Sequence, residues 1–95
     1  MTPEGAVKRD VKRLLVSMGV YYFMPVSNGM GRHGIPDIIA CVNGHFLAIE
    51  AKAGKGKTAA LQAREIALIQ AAGGTALIIN EGNLHVLKEE IEKHS

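Results

Sequence analysis

Asn43-Gly44 stands between two apolar runs, Ile35 to Val42 and Phe46 to Ala53, and constrains the fold more than any other feature of the chain. Asparagine and glycine accept the positive φ angles of a two-residue hairpin turn, whose twist matches that of the paired strands it joins. The two runs therefore read as an antiparallel hairpin, with strands over about 35–42 and 45–53. Such a hairpin brings Asp37 on the first strand level with Glu50 on the second. Residues two apart on a strand share a face, so Glu50 and Lys52 project together while Ala51 points away. Their Cα atoms would lie about 6.6 Å apart, and neighbouring strands ~4.8 Å apart, which lets the two carboxylates converge on one cation.

Two carboxylates and a lysine are costly to place in an apolar sheet unless they are paired or surround an ion. Leu47, Ile49 and Ala51 already fill the opposite face of their strand, and Ile38 to Val42 is the nearly continuous apolar run of a central strand. The charges thus point to chemistry rather than folding. Magnesium takes a few carboxylate oxygens plus waters at ~2.0–2.1 Å, and Asp37, Glu50 and the Ala51 backbone carbonyl offer such a set. Lys52 beside them is placed to orient an attacking water and to balance charge developing on a phosphate.

The rest of the chain builds around this hairpin. Thr2-Pro3-Glu4 opens a helix, with Thr2 as cap, Pro3 in the first turn and Glu4 at the positive end. Val7, Val11, Leu14 and Met18 form its apolar stripe, widened by Leu15, and Gly19 ends it. A strand follows from Val20 to Val26, then a glycine-rich loop, Ser27 to Gly34. After a flexible basic link, Gly54-Lys55-Gly56-Lys57, Thr58 caps a second helix that runs to about Ala72, where Gly73-Gly74 stops it. Thr75 to Asn80 reads as a buried strand. Leu84, Leu87 and Ile91 give a last helix capped by Asn83, with a short strand at Leu84 to Leu87 as the alternative. The expected fold is α/β, a mixed central sheet flanked by helices in the order α-β-β-β-α-β-α, forming one domain over residues 1–95.

Composition narrows the setting. The chain has no Trp, two Phe and two Tyr, so its core is aliphatic, and a domain this small gains from dimerising. Met30 and Ile91 are the apolar residues offered for such an interface. The single cysteine, Cys41, excludes an internal disulfide and fits a reducing, intracellular setting as a buried, inert thiol. No signal peptide or membrane-spanning run is evident, so no membrane partner is expected. Residues 1–64 carry nine Lys and Arg against four acidic residues, and residues 65–95 carry two against five. The basic part holds the candidate site and favours a polyanion there. His45 follows the turn and is expected to face solvent. Without a neighbouring Cys or paired His spacing, no structural zinc site is expected.

Gly34-Ile35-Pro36-Asp37 and Glu50-Ala51-Lys52, with Glu4 on the first helix and Gln62 on the second, resemble the PD-(D/E)XK nuclease superfamily, in particular its VRR-NUC (virus-type replication-repair nuclease) branch. The resemblance covers nearly the whole chain, without an added domain, and is to stand-alone phage and bacterial members. It implies a restriction-endonuclease-like core and a Mg2+- or Mn2+-dependent DNA endonuclease. It also implies a homodimer acting on branched substrates such as four-way junctions, in the cytoplasm of a bacterial or phage-infected cell. By the same resemblance Glu4 joins the metal ligands, and Gln62 steadies the catalytic lysine or a phosphate. Arg32, His33, Lys55, Lys57 and Arg64 flank this set and are the expected DNA contacts; Lys8, Arg9, Lys12 and Arg13 extend the basic surface.

Two other readings compete. The acidic residues would be structural in a non-catalytic nucleic-acid-binding module. Alternatively, Ala51 to Thr58 nearly spells a phosphate-binding P-loop between a strand and a helix. Against the latter, the loop would start inside the strand that bears Glu50 and Lys52, and the next strand ends in Asn80 rather than a magnesium-binding Asp.

Overall fold

The computed structural model describes residues 1–26 and 32–95. Its elements are α1 (Pro3–Ser17), β1 (Tyr21–Phe23), β2 (Ile38–Val42), β3 (His45–Ala51), α2 (Ala60–Ala71), β4 (Thr75–Ile79) and α3 (Leu84–Lys93). This is the order read from the sequence. The turn between β2 and β3 forms as its residues dictate, with Asn43 and Gly44 at φ 50° and 84°. The sheet runs β1-β2-β3-β4. β1 pairs antiparallel with β2, and β2 antiparallel with β3. β3 pairs parallel with β4, and α2 makes the crossover that a parallel connection needs.

Period-two alternation sorts the strands into two faces. Ile38, Ala40 and Val42 of β2 and Leu47, Ile49 and Ala51 of β3 are buried with Val7, Val11 and Leu15 of α1 and Leu87 and Ile91 of α3. One face of the sheet therefore lies under two helices and carries the core. Helix α1 starts as expected: the Thr2 hydroxyl accepts from the Gly5 amide at 2.9 Å, and Pro3 occupies the first turn. Among the described residues the other face has α2 alone, and much of it stays open. Tyr21, Phe23, Phe46, Leu68 and Ile78 are all at least 40% exposed.

Several expectations change for that reason. β4 is an edge strand, not a buried one, and among its residues only Ile79 is buried. Cys41 lies on the open face and is exposed. Ile91 packs in the core and is 1% exposed, which removes it as an interface residue; Met30 lies outside the described residues. β1 is three residues long, far short of Val20 to Val26. Helix α2 is capped at Ala59 rather than Thr58, and the Ala59 amide donates to the Gln62 side chain at 3.1 Å. Asn83 does sit at the N-cap of α3, but its side chain makes no cap bond. It instead accepts from the Asn80 amide and donates to the Ile78 carbonyl, closing the turn after β4. Among the described residues no helix is long and apolar enough to cross a membrane.

Candidate active site

Asp37 immediately precedes β2 and Lys52 immediately follows β3, so both stand at strand ends, and the Lys52 amide still donates to the Ile79 carbonyl of β4 at 2.9 Å. Ile38 faces Ile49 in the antiparallel register, and one step back from Ile38 and forward from Ile49 brings Asp37 beside Glu50. Glu50 projects onto the α2 face and is only 3% exposed, while Ala51 is fully buried in the core. The alternation that separates Glu50 and Lys52 from Ala51 is thus realised.

Each acidic oxygen has a distinct environment. Asp37 Oδ2 accepts from the Ala51 amide at 2.9 Å. Its Oδ1 faces the Lys8 ammonium at 3.5 Å, and that ammonium also lies 3.8 Å from Glu4 Oε2. Lys8 sits one turn after Glu4 on the same helix face. It joins the acidic cluster rather than merely extending a basic surface, a role that this i,i+4 spacing from Glu4 would have signalled. Glu50 Oε1 accepts from Gln62 Nε2 at 3.0 Å and lies 3.9 Å from Lys52 Nζ. Gln62 therefore braces Glu50, with its other end on the Ala59 amide; neither of its bonds goes to the lysine. Glu50 Oε2 is buried and finds no hydrogen-bond partner among the described residues. Burial, reinforced by the charge of Asp37, pushes the Glu50 carboxyl up to about 8; Lys52 opposes this.

An orphaned carboxylate oxygen costs free energy in a protein interior unless something occupies its lone pairs. Hard divalent cations favour oxygen ligands, and Glu50 Oε2 beside Asp37 matches that preference, while Glu4, 44% exposed at its side chain, meets this pair through Lys8. The donor set fits a magnesium-like ion.

Gly34 positions the segment leading to Asp37. Its φ is +78°, and a Cβ there would meet the Leu61 carbonyl group at 2.5 Å and the Gln62 amide at 2.8 Å. Only glycine lets this loop lie against the first turn of α2, which carries Gln62 to Glu50. Gly34→Ala is expected to cost about 1–3 kcal/mol, from the positive φ and the backbone clash. Urea titration would measure this, and wild-type stability would show that the close approach is not needed.

The proposed DNA-contacting residues divide. Lys55, Lys57, Arg64 and His33 are exposed. Arg32 is not free: its guanidinium forks onto Glu65, with bonds of 3.1 and 2.8 Å. That hydrogen bond, more than the accompanying charge, holds the Glu65 carboxyl below its ordinary range despite burial. Sequence reading missed Glu65, although it follows Gln62 by three residues and so shares its helix face. The P-loop-like stretch is not shaped as one: Ala51 ends a buried strand, Gly56 N–H turns back onto the Ala53 carbonyl at 3.0 Å, and Thr58 lies before the helix.

Residues 4–93 match the family model described as archaeal Holliday junction resolvase (Hjc). The fold is similar to that of Hjc from Archaeoglobus fulgidus, described as a Holliday junction resolvase from an archaeal hyperthermophile. The two agree with a TM-score of 0.60 and 22% sequence identity, over 80% of this chain and 66% of that one. This chain thus spans just under two thirds of that protein's length. No curated protein sequence matches it.

Proposed function

The chain belongs to the archaeal Holliday junction resolvase (Hjc) family, and from that premise we propose that it is a divalent-metal-dependent endonuclease that cuts four-way DNA junctions as a homodimer. The family is of the PD-(D/E)XK nuclease type, as the motif residues imply; it is an archaeal resolvase family rather than a phage or bacterial type, and the match does not extend to the VRR-NUC branch specifically. The observation that carries the catalytic reading is the buried, unpartnered Glu50 Oε2 set beside Asp37 and Lys52.

Asp37 and Glu50, with Glu4 and the Ala51 carbonyl, would hold Mg2+ or Mn2+, which when bound supplies Lewis acidity toward a phosphodiester. The chain's own residues do the positioning. Gln62 fixes the orientation of Glu50, and the Ala51 amide fixes that of Asp37. Lys52, 17% exposed at its side chain, brings its ammonium to the mouth of the site to orient the attacking water and offset charge growing on the phosphate. Lys8 balances the charges of Glu4 and Asp37 and would be free for the DNA backbone where a bound cation balanced them instead. Exposed Lys55, Lys57, Arg64 and His33 supply the remaining backbone contacts, a sequence-independent recognition suited to a substrate defined by shape.

Incubating labelled four-way junction, flap and linear duplex with the protein tests this reading. Cleavage of the junction that requires Mg2+ or Mn2+ and stops with chelator is the expected result. Binding without cutting under any of these conditions would leave a non-catalytic module instead.

The homodimer rests on the half-covered sheet. Beside α2 is a cleft of about 510 Å³ lined by Ile35, Pro36, Ile39, Phe46, Leu68 and Ile69 among others. Exposed Tyr21 and Phe23 share its sheet face. A contiguous apolar surface of this kind marks an interaction site, and a second copy seated there would give the paired active sites that symmetric nicking of a junction needs. Light scattering is expected to report a dimer, and Leu68→Glu a monomer. A wild-type monomer at working concentration would remove the dimer.

A further inference from the structure

We propose that His45, Glu90 and His94 form a second metal site, for Zn2+ or a similar transition-metal ion, that fastens the end of α3 to the sheet. It goes beyond the nuclease reading and does not depend on it. His45 opens β3 and Glu50 lies five residues further along, so the two sites stand about 17 Å apart at ~3.3 Å per residue.

His45 does not face solvent as its place after the turn implied. It is half-buried, and its ring stacks on His94 at 3.7 Å between centroids, 12° from parallel. Glu90 on α3 and His94 at its C-cap are four residues apart, and the hairpin's fold brings His45 to them. Metal-ligand atoms of the three residues lie within 4.8 Å of one another. Tetrahedral zinc with ~2.0–2.1 Å bonds to nitrogen holds its ligands about 3.3 Å apart, so closure needs only side-chain motion. Two imidazoles and a carboxylate favour zinc over magnesium, which demands oxygen ligands.

Without metal, a chain of hydrogen bonds holds the cluster. His45 Nε2 lies 2.7 Å from Thr75 Oγ1, Thr75 Oγ1 donates to Glu90 Oε2 at 3.0 Å, and His94 Nε2 lies 2.8 Å from the same oxygen. Thr75 spends its single proton on Glu90, so His45 donates to Thr75, and His94 donates to the carboxylate. Both Nε2 atoms then carry hydrogen. Burial alone would raise the Glu90 carboxyl, but bonds from His94 and Thr75 and the charges of Lys93 and His94 outweigh it and favour the ionised form. Lys93, 3.5 Å from Glu90 Oε1, is the other charged group facing the cluster.

With hydrogen on both Nε2 atoms, the stacked rings would have to fan apart or change tautomer to give a metal their lone pairs, and water would complete its coordination. His94, beyond the last turn of α3, is free to make this movement, while Asn43 Nδ2 holds its carbonyl to the hairpin turn at 2.7 Å. A ligand bound only by the folded state stabilises it.

Nitrogen-15 spectra of the histidine rings, read while Zn2+ is titrated into metal-free protein with excess Mg2+ and no DNA, test the site without reference to cleavage. The expected result is that His45 and His94 ring nitrogens shift together, saturating near one equivalent, while His33 and His85 stay put and the melting temperature rises. His94→Gln should remove both effects. Unmoved His45 and His94 rings overturn the proposal, as does a shift of all four histidines alike.

Discussion

A Lys52→Ala variant is expected to bind four-way junction DNA about as well as wild type, while its cleavage rate falls by about 10²–10³-fold, the cost of losing one preorganised charge donor at a reacting phosphate. The separation of effects follows from placement. Lys52 Nζ lies 3.9 Å from Glu50 Oε1 and its side chain is 17% exposed, so it is held inward by the carboxylate. The exposed Lys55 and Lys57 lie three and five residues on in the basic link and would keep the backbone contacts proposed for them. Single-turnover cleavage beside a gel-shift measurement separates binding from chemistry. A variant that cuts like wild type would end the role given to Lys52 while leaving a nuclease. One that loses binding to the same degree as cutting would make Lys52 a substrate anchor.

The meeting of Asp37 and Glu50 was legible because one local signal, Asn43-Gly44, determines the register that pairs their strands. The core face was legible for a similar reason: the period-two pattern of β2 and β3 and the 3.6-period stripes of α1 and α3 are all local. The open face was not. Ala76, Ile78 and Cys41 read as buried because they are apolar, yet burial depends on how many helices lie over a face, and among the described residues only α2 lies over theirs. Contacts between distant segments were equally hidden. Nothing near Arg32 announces Glu65, thirty-three residues on, and nothing near His45 announces His94. The end of α2 shows the converse: Thr58 is the better capping residue, but Gln62 takes the Ala59 amide because it is already turned inward to hold Glu50. A site requirement there overrides a local preference.

Metal-free protein is expected to lose stability as the pH rises from about 4.5 to about 8, and Glu50→Gln is expected to abolish that loss. The buried Glu50 carboxyl titrates near 8 in the folded chain against an ordinary 4.5. Across that window the unfolded chain gives up a proton that the folded chain keeps, so rising pH favours unfolding; above it both forms are ionised and the slope vanishes. Each unit of difference is worth ~1.4 kcal/mol, so the full effect is on the order of 4–5 kcal/mol, a large share of the ~5–15 kcal/mol that holds a small domain folded. Gln keeps the shape of Glu50 without a charge to bury. Thermal melts in chelator should therefore coincide for the two proteins near pH 4.5 and separate near pH 8, with the variant the more stable. Mg2+ at the higher pH should restore the wild type and leave Glu50→Gln unmoved, because the cation acts by holding the ionised carboxylate. Parallel melting curves across the whole range would mean that Glu50 is ionised without penalty, and the buried oxygen would then have no need of a metal. The cost of folding this carboxylate without a cation is thus also a measure of how strongly the site is built to take one.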